Sequence, residues 1–240
     1  MQLSGKVAIV TGAGRGIARE TALALAREGA DLLLADMNAA EVEDTCNEAK
    51  KIGRDAVSVV VNVTKKAEVE AMAKKALDHF GKVDILVNVA GVAVHNMIPD
   101  IREEDWDLNM DVNAKGIFLC TQALFSHMCD RQTGHIVNVA STSGKRGSAK
   151  TGAYSASKFA AIGFTETTSN EGRPFGVKAS AICPGPVDTQ LRAGNWPDDI
   201  KEQLIKPQDI ADVIVFVVTR PARVNLPEVV IAAPLFTPKA

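Results

Sequence analysis

The chain has 240 residues, of which 46% are hydrophobic and 23% charged, with a formal net charge of −2. This length allows one large domain or two small ones, and the composition suits a packed core rather than disorder. Acidic and basic residues are interspersed, so neither nucleic acid nor an anionic membrane surface is expected as a partner.

Taken in order, the chain alternates short apolar runs with amphipathic stretches. Residues 6–11 (K-V-A-I-V-T) read as a strand, 16–28 as an Ala/Leu-rich helix, 31–36 (D-L-L-L-A-D) as a strand and 39–52 as a helix. Residues 56–61 follow as a strand, 65–80 as a helix and 83–87 as a fourth strand. One long helix is expected from about 103 to 129, then a strand at 134–140. A helix at 154–170, a strand at 176–182, a helix at 207–219 and a short strand at 228–231 complete the pattern. The strands are nearly continuous apolar runs, as expected where helices cover both sheet faces. Strict alternation implies a parallel sheet with right-handed crossovers, hence an α/β, doubly wound, Rossmann-type fold. No repeat, linker or low-complexity tract divides it, so residues 1–240 are read as one domain.

The longest apolar runs, such as residues 213–218, are too short to cross a bilayer. The start, M-Q-L-S-G-K-V-A-I-V-T-G, runs into a strand without a signal-peptide pattern, and Cys46, Cys120, Cys129 and Cys183 lack C-x-x-C spacing. Both features lead to the expectation of a cytoplasmic protein with free thiols. His79, His95, His127 and His135 form no metal-ligand spacing and read as surface or boundary residues, so no metal is expected.

In parallel sheets of this kind ligands bind at the carboxyl ends of the strands. The first such end carries T-G-A-G-R-G-I-A (residues 11–18), which opens a helix. Gly12 and Gly16 there let backbone approach a pyrophosphate, and the helix N-terminus adds N–H donors and partial positive charge. Asp36 closes the second strand twenty residues after Gly16, where a carboxylate accepts hydrogen bonds from an adenosine ribose. A second cluster follows the fifth strand. Tyr154 and Lys158 are four apart and share a helix face, and Ser141 stands where strand gives way to loop. An ammonium against the ring is expected to draw the tyrosine from its usual pKa near ~10 toward neutrality, making it a general acid/base. Such a trio suits the making or breaking of a C–O–H group.

These residues resemble the short-chain dehydrogenases/reductases over roughly residues 3 to 220. Residues 11–18 are similar to the family's T-G-x-x-x-G-x-G turn and residues 88–91 (N-V-A-G) to its N-N-A-G segment. Asn113, Ser141, Tyr154 and Lys158 fall in the order of its catalytic tetrad, and residues 184–189 (P-G-P-V-D-T) resemble its P-G segment beside the nicotinamide. The resemblance implies a nicotinamide cofactor held by Gly12, Arg15, Gly16, Ile17, Asp36, Asn62, Val63, Asn88, Ala90, Gly91, Tyr154, Lys158, Pro184, Gly185, Val187 and Thr189. It implies hydride transfer to or from a small alcohol or ketone, with Tyr154 moving the oxygen's proton. Lys158 would also bind the nicotinamide ribose, Ser141 would polarise the substrate oxygen, and Asn113 would hold a proton-relaying water. Departures are Ala18 for the turn's last glycine, Val89 for the second asparagine, and Asn62 for an aspartate.

Asp36 favours NAD over NADP, because a 2′-phosphate about 4 Å from a carboxylate is repelled by ~1 kcal/mol in water and by more in a shielded site. Arg15 is the opposing signal, and Met37 supplies no second basic residue. The rivals are an NADPH-dependent 3-oxoacyl-(acyl carrier protein) reductase and a non-catalytic dinucleotide sensor. The resemblance further implies a homo-oligomer, a tetramer before a dimer. Its contacts would involve Phe118, Leu124 and Phe125, or Phe159, Ile162 and Phe164, unless these face the sheet. The ending, R-V-N-L-P-E-V-V-I-A-A-P-L-F, replaces the family's usual V-D-G-G segment with a short strand and apolar tail. Substrate choice is assigned to residues 92–99, 143–151 and a loop at about 190–206. That loop carries Trp196, which reads equally as a lid residue or a surface anchor. Arg146, Lys150 and Arg192 would attract an anionic substrate if they point inward.

Overall fold

Buried apolar strands and the helices between them build one continuous sheet in a computed structural model that describes residues 1–234 and 236. Among the described residues there are seven strands: β1 (Val7–Thr11), β2 (Asp31–Asp36), β3 (Ala56–Val60), β4 (Ile85–Asn88), β5 (Gly134–Val139), β6 (Val177–Pro184) and β7 (Glu228–Ile231). They lie in the order β3-β2-β1-β4-β5-β6-β7, every neighbouring pair parallel. The fold is therefore the doubly wound, Rossmann-type single domain that the alternation implies. Strand order reverses between β1 and β4, where Thr11 is in register with Asn88. A crevice opens at the carboxyl ends of the strands at such a reversal.

Successive strand residues point to opposite faces, and each face has its own core. Ala8, Val10, Leu32 and Leu34 pack with α1 (Gly16–Arg27), α2 (Ala39–Lys51) and α8 (Pro207–Val218). Ile9, Leu33, Leu86 and Ile136 pack with α3 (Lys66–Phe80) and α5 (Gly116–Asp130). Covering both faces is what permits all-apolar strands such as β1. Among the described residues no helix is long and apolar enough to cross a membrane.

Several expected boundaries move for local reasons. The fourth strand begins at Ile85 rather than 83, because the Val83 backbone is engaged sideways. Its N–H donates to His127 Nε2 at 3.2 Å, and its carbonyl accepts from Arg131 Nη1 at 3.0 Å. The single helix expected over 103–129 is α4 (Glu103–Met110), a π-helical turn (Asp111–Lys115) and then α5. α6 spans Gly152–Gly172, two residues longer at each end than expected. The loop at about 190–206 contains a short helix, α7 (Gln190–Asn195), started by Thr189 Oγ1 accepting from Arg192 N–H at 3.2 Å.

Of the residues weighed for a subunit contact, Leu124 is fully buried in the sheet-facing core. Phe118 and Phe159 are exposed, and Phe118 meets Phe164 edge-on at 6.0 Å. The last strand pairs with β6, and of the tail expected beyond it Leu235 lies outside the described residues.

Candidate active site

One half of the crevice is made mainly of backbone. Gly12 has φ +72°, and a Cβ there would meet the Ala90 backbone at 2.8 Å, so only glycine lets the turn lie this close to the end of β4. Thr11 Oγ1 ties the same two strand ends together by accepting from the Val89 and Ala90 N–H groups at 3.2 and 3.3 Å. Asp36, at the end of β2, accepts from the Gly14 N–H through Oδ2 and from the Asn38 N–H through Oδ1, each at 2.9 Å. The carboxylate thus shapes the turn as well as facing the crevice. A Cβ at Gly14 would lie 3.0 Å from Asp36 Oδ2 and 3.1 Å from Glu41 Oε2, so two acids flank this point. Arg15 lies between Glu41 and α7, donating from Nη1 to Gln190 Oε1 at 2.6 Å and pairing with Glu41 Oε1 at 3.8 Å. It makes no side-chain cap for α1. Gly16 and Ile17 begin that helix, and Thr189 lies over Gly16, its Cγ2 3.6 Å from the position of a Cβ there.

The other assigned residues ring this groove. Asn62 Oδ1 accepts from Thr64 N–H and Oγ1, which turns the chain after β3, and Val63 beside it is buried. Asn88 Nδ2 donates to Asn138 Oδ1 at 2.8 Å, and Asn138 Nδ2 to Thr165 Oγ1 at 2.8 Å, fastening β4 through β5 to α6. Pro184 ends β6, and the Gly185 N–H donates to the Ile231 carbonyl at 2.7 Å. Val187 bridges to Ile205. The glycine turn, the uncapped N-terminus of α1 and the carboxylate of Asp36 supply the N–H donors and the acceptor that a pyrophosphate and a ribose need, so the residues present fit a dinucleotide.

The four residues matched to the tetrad come from three parts of the chain: the end of β5, the π-helical turn and α6. Ser141 follows β5 and its Oγ accepts from the Ser143 N–H at 3.0 Å, which leaves the hydroxyl proton to be given elsewhere. Tyr154 and Lys158 stand on α6. The Lys158 ammonium is 5.7 Å from the Tyr154 ring centroid and donates to the Val139 carbonyl at 2.9 Å. Burial pulls its pKa down to about 8. Asn113 lies in the π-helical turn and is wholly buried; Nδ2 donates to the Val92 carbonyl and Ser157 Oγ, and Oδ1 accepts from the Val92 N–H. Its amide therefore clamps the chain after Gly91 to α6. A π-helical turn widens a helix by one residue and is frequent at functional sites.

The expected acidification of Tyr154 is corrected here. Burial raises its pKa above 10, and the Ser141 hydroxyl and Arg192 charge draw it back only in part. Lys158 is turned to a carbonyl and lies beyond hydrogen-bond reach of the ring, so desolvation of the phenolate wins.

Sequence reasoning missed the far wall of the crevice. His95 sits edge-on to Tyr154 at 5.2 Å and against Trp196 at 4.5 Å. It is a boundary histidine of intermediate exposure, but its ring is turned to the crevice side chains, and burial with the Arg192 charge lowers its pKa to about 4. Trp196 is half-buried, packs against His95 and carries the Arg192 guanidinium 3.9 Å over its ring, so it faces the crevice rather than standing apart as a surface anchor. Arg192 Nε donates to Asp199 Oδ2 at 2.5 Å, and Phe236 lies 5.3 Å from the same guanidinium. Arg146 and Lys150 stay exposed. Asn195 Nδ2 donates to the Ala93 carbonyl at 3.1 Å and latches this loop to the one after β4. The one available signal was placement: His95 lies within 92–99 and Trp196 within 190–206, the stretches assigned to substrate choice.

A strand–turn–helix cradle beside a buried Ser/Tyr/Lys cluster defines a class of dinucleotide-dependent oxidoreductases. The short chain dehydrogenase family model matches residues 6–200, and the chain belongs to that family, whose members use nicotinamide cofactors. It is similar to an uncharacterized oxidoreductase of Staphylococcus aureus, 38% identical over 230 residues that cover 95% of this chain and 97% of the relative. Among solved structures, levodione reductase superposes with TM-score 0.91 at 25% identity, covering 96% of this chain and 97% of that one. An alcohol dehydrogenase from Thermococcus sibiricus, complexed with 5-hydroxy-NADP, superposes with TM-score 0.90 at 29% identity, covering 98% and 99%.

Proposed function

We propose that this oxidoreductase transfers hydride between a nicotinamide cofactor and the carbinol carbon of a small secondary alcohol or its ketone. The observation that carries the reading is the convergence of Ser141, Tyr154 and Lys158 beside the glycine cradle at one end of the sheet. The nicotinamide, when bound, supplies the hydride acceptor or donor. Gly12, Gly16 and Ile17 hold the pyrophosphate, Asp36 the adenosine ribose, and Asn62 and Val63 line the adenine end. Asn88, Ala90, Gly91, Pro184, Gly185, Val187 and Thr189 wall the nicotinamide end. The Ser141 hydroxyl, which pairs with Tyr154 in this structure, turns its proton to the substrate oxygen. Tyr154 carries that oxygen's proton: as phenol it gives one to a developing alkoxide, and as phenolate it takes one from an alcohol. With burial raising its pKa, the resting phenol is ready for the reducing direction. Lys158 binds the nicotinamide ribose, its ammonium standing 5.7 Å from the Tyr154 ring centroid. Asn113 keeps the loop after Gly91 in place and, with Lys158, supports a water for proton relay.

NAD is the preferred cofactor in this reading. Asp36 and Glu41 together oppose a 2′-phosphate, and Arg15 is drawn toward Gln190. The exposed guanidinium of Arg15 favours the second reading, an NADP-dependent reductase. Exposed Phe118 and Phe159 support a homo-oligomer, a tetramer before a dimer, and four free cysteines suit a cytoplasmic protein. The deciding experiment follows nicotinamide absorbance over secondary alcohols, polyols, hydroxy acids and acyl thioesters with each cofactor. Faster turnover with NADP than with NAD at equal concentration overturns the role given to Asp36. No turnover of any substrate with either cofactor overturns the enzyme reading.

A further inference from the structure

The imidazole of His95 is a costly group to leave as it stands. Both ring nitrogens are shielded from water and neither has a hydrogen-bond partner among the described residues. The Lys150 backbone lies near enough to favour the protonated ring, yet it makes no hydrogen bond with it. A buried polar atom without a partner forgoes the hydrogen bond it would make in water. An orphan nitrogen alone is not a site, for His135 has one too. That residue is in the core, however, with its other nitrogen 2.9 Å from Ser180 Oγ and no part of the crevice beside it. His95 differs in location, in contact with the ring of Tyr154.

The backbone around His95 is held on both sides. Asn109 Nδ2 donates to the Val94 carbonyl at 3.3 Å, and Asn96 bridges to Thr151 at the start of α6. The imidazole is thus presented from a fixed loop, as recognition of a defined substrate group requires. Trp196 packs against the ring at 4.5 Å, so a ligand on the imidazole also meets the indole.

We propose that His95 forms a subsite for a second oxygen of the substrate, so that the preferred substrates are alcohols or ketones with a hydroxyl or carbonyl on a carbon neighbouring the reacting one. This inference rests on the hydride-transfer reading of the same site. A neutral imidazole offers one N–H donor and one lone pair, matching a neutral oxygen. A carboxylate is a poorer match: the one cation stacked on Trp196, Arg192, is already paired with Asp199.

The test compares matched pairs, butane-2,3-diol against butan-2-ol and the corresponding hydroxyketone against butanone, in wild type, His95→Phe and His95→Gln. Phenylalanine keeps the ring packing and removes both nitrogens; glutamine keeps a donor and an acceptor. The expected result is a fall in kcat/KM of about tenfold for the two-oxygen substrates in His95→Phe, with single-oxygen substrates within about twofold and glutamine restoring most of the loss. Equal loss on both classes makes His95 a packing residue and overturns the proposal, as does no loss on either. A second readout is independent of turnover: the imidazole nitrogen resonances of His95, identified by their disappearance in His95→Phe, shift with the diol in cofactor-loaded Tyr154→Phe and stay fixed with butan-2-ol. If wild type turns over no alcohol yet these resonances shift, the hydride-transfer reading fails and the subsite stands. If they do not shift, the subsite falls.

Discussion

The two ends of the crevice are built from different materials. The dinucleotide end is backbone: a glycine turn pressed against Ala90, amides tied to Asp36, and the open end of α1. The substrate end is side chains, with His95, Tyr154, Trp196 and Arg192 brought together from three separate stretches. A backbone cradle tolerates few residue types at each position and repeats its spacing wherever it occurs. A side-chain pocket changes with each substitution. One end can therefore stay constant while the other sets which substrate is admitted.

The sharpest way to break this division is at Tyr154. Replacement by Phe is expected to lower turnover by about 10²–10⁴-fold or more, while nicotinamide nucleotide titration gives affinity within a few-fold of wild type. A parallel loss of nucleotide affinity would mean that the two ends are not separable. Next in size is the buried lysine between them. An unfolded lysine holds its proton up to its ordinary value of 10.5, whereas folded Lys158 releases it at about 8. Between these values the unfolded chain binds more protons, so stability rises with pH; the penalty is complete below about pH 8 and gone above 10.5. Denaturant unfolding of wild type should gain on Lys158→Met by up to about 1.4 kcal/mol per pH unit in that window, and a flat difference would put Lys158 in contact with water.

At the dinucleotide end, Asp36→Asn is expected to move the ratio of kcat/KM for NAD over NADP about tenfold toward NADP, read from steady-state rates with each cofactor. An unchanged ratio would leave Glu41 as the discriminating acid. The smallest effect is at the latch. Asn195→Ala removes the bond to Ala93 and should raise substrate KM about two- to tenfold with kcat within twofold, since one neutral hydrogen bond contributes about 0.5–1.5 kcal/mol.

The difference in materials also explains what could be read from the chain. Strands such as residues 31–36 and the 11–18 turn announced themselves because apolar runs and glycine spacing are local properties. Tyr154 and Lys158 share a helix face, again a local relation. The π-helical turn was hidden because nothing local distinguishes Asp111–Lys115 from ordinary helix; Asn113 is held there by Val92 and Ser157, far off in sequence. The partners of His95 were hidden for the same reason, since Tyr154 and Trp196 lie some sixty and a hundred positions onward. The phenol's pKa was misjudged in sign because a spacing of four says nothing of desolvation or of the Val139 carbonyl that claims the ammonium.

The strand order has one more consequence, for how the chain is made. β1 lies between β2 and β4, yet residue 88 follows residue 11 by roughly 4–15 s at ribosomal speed. Through that interval an apolar strand has one edge bare, and the nascent polypeptide depends on β2, α1 and any attending chaperone to keep it from pairing elsewhere. The crevice itself, walled by the ends of β1, β4, β5 and β6, comes into being only after most of the message has been translated.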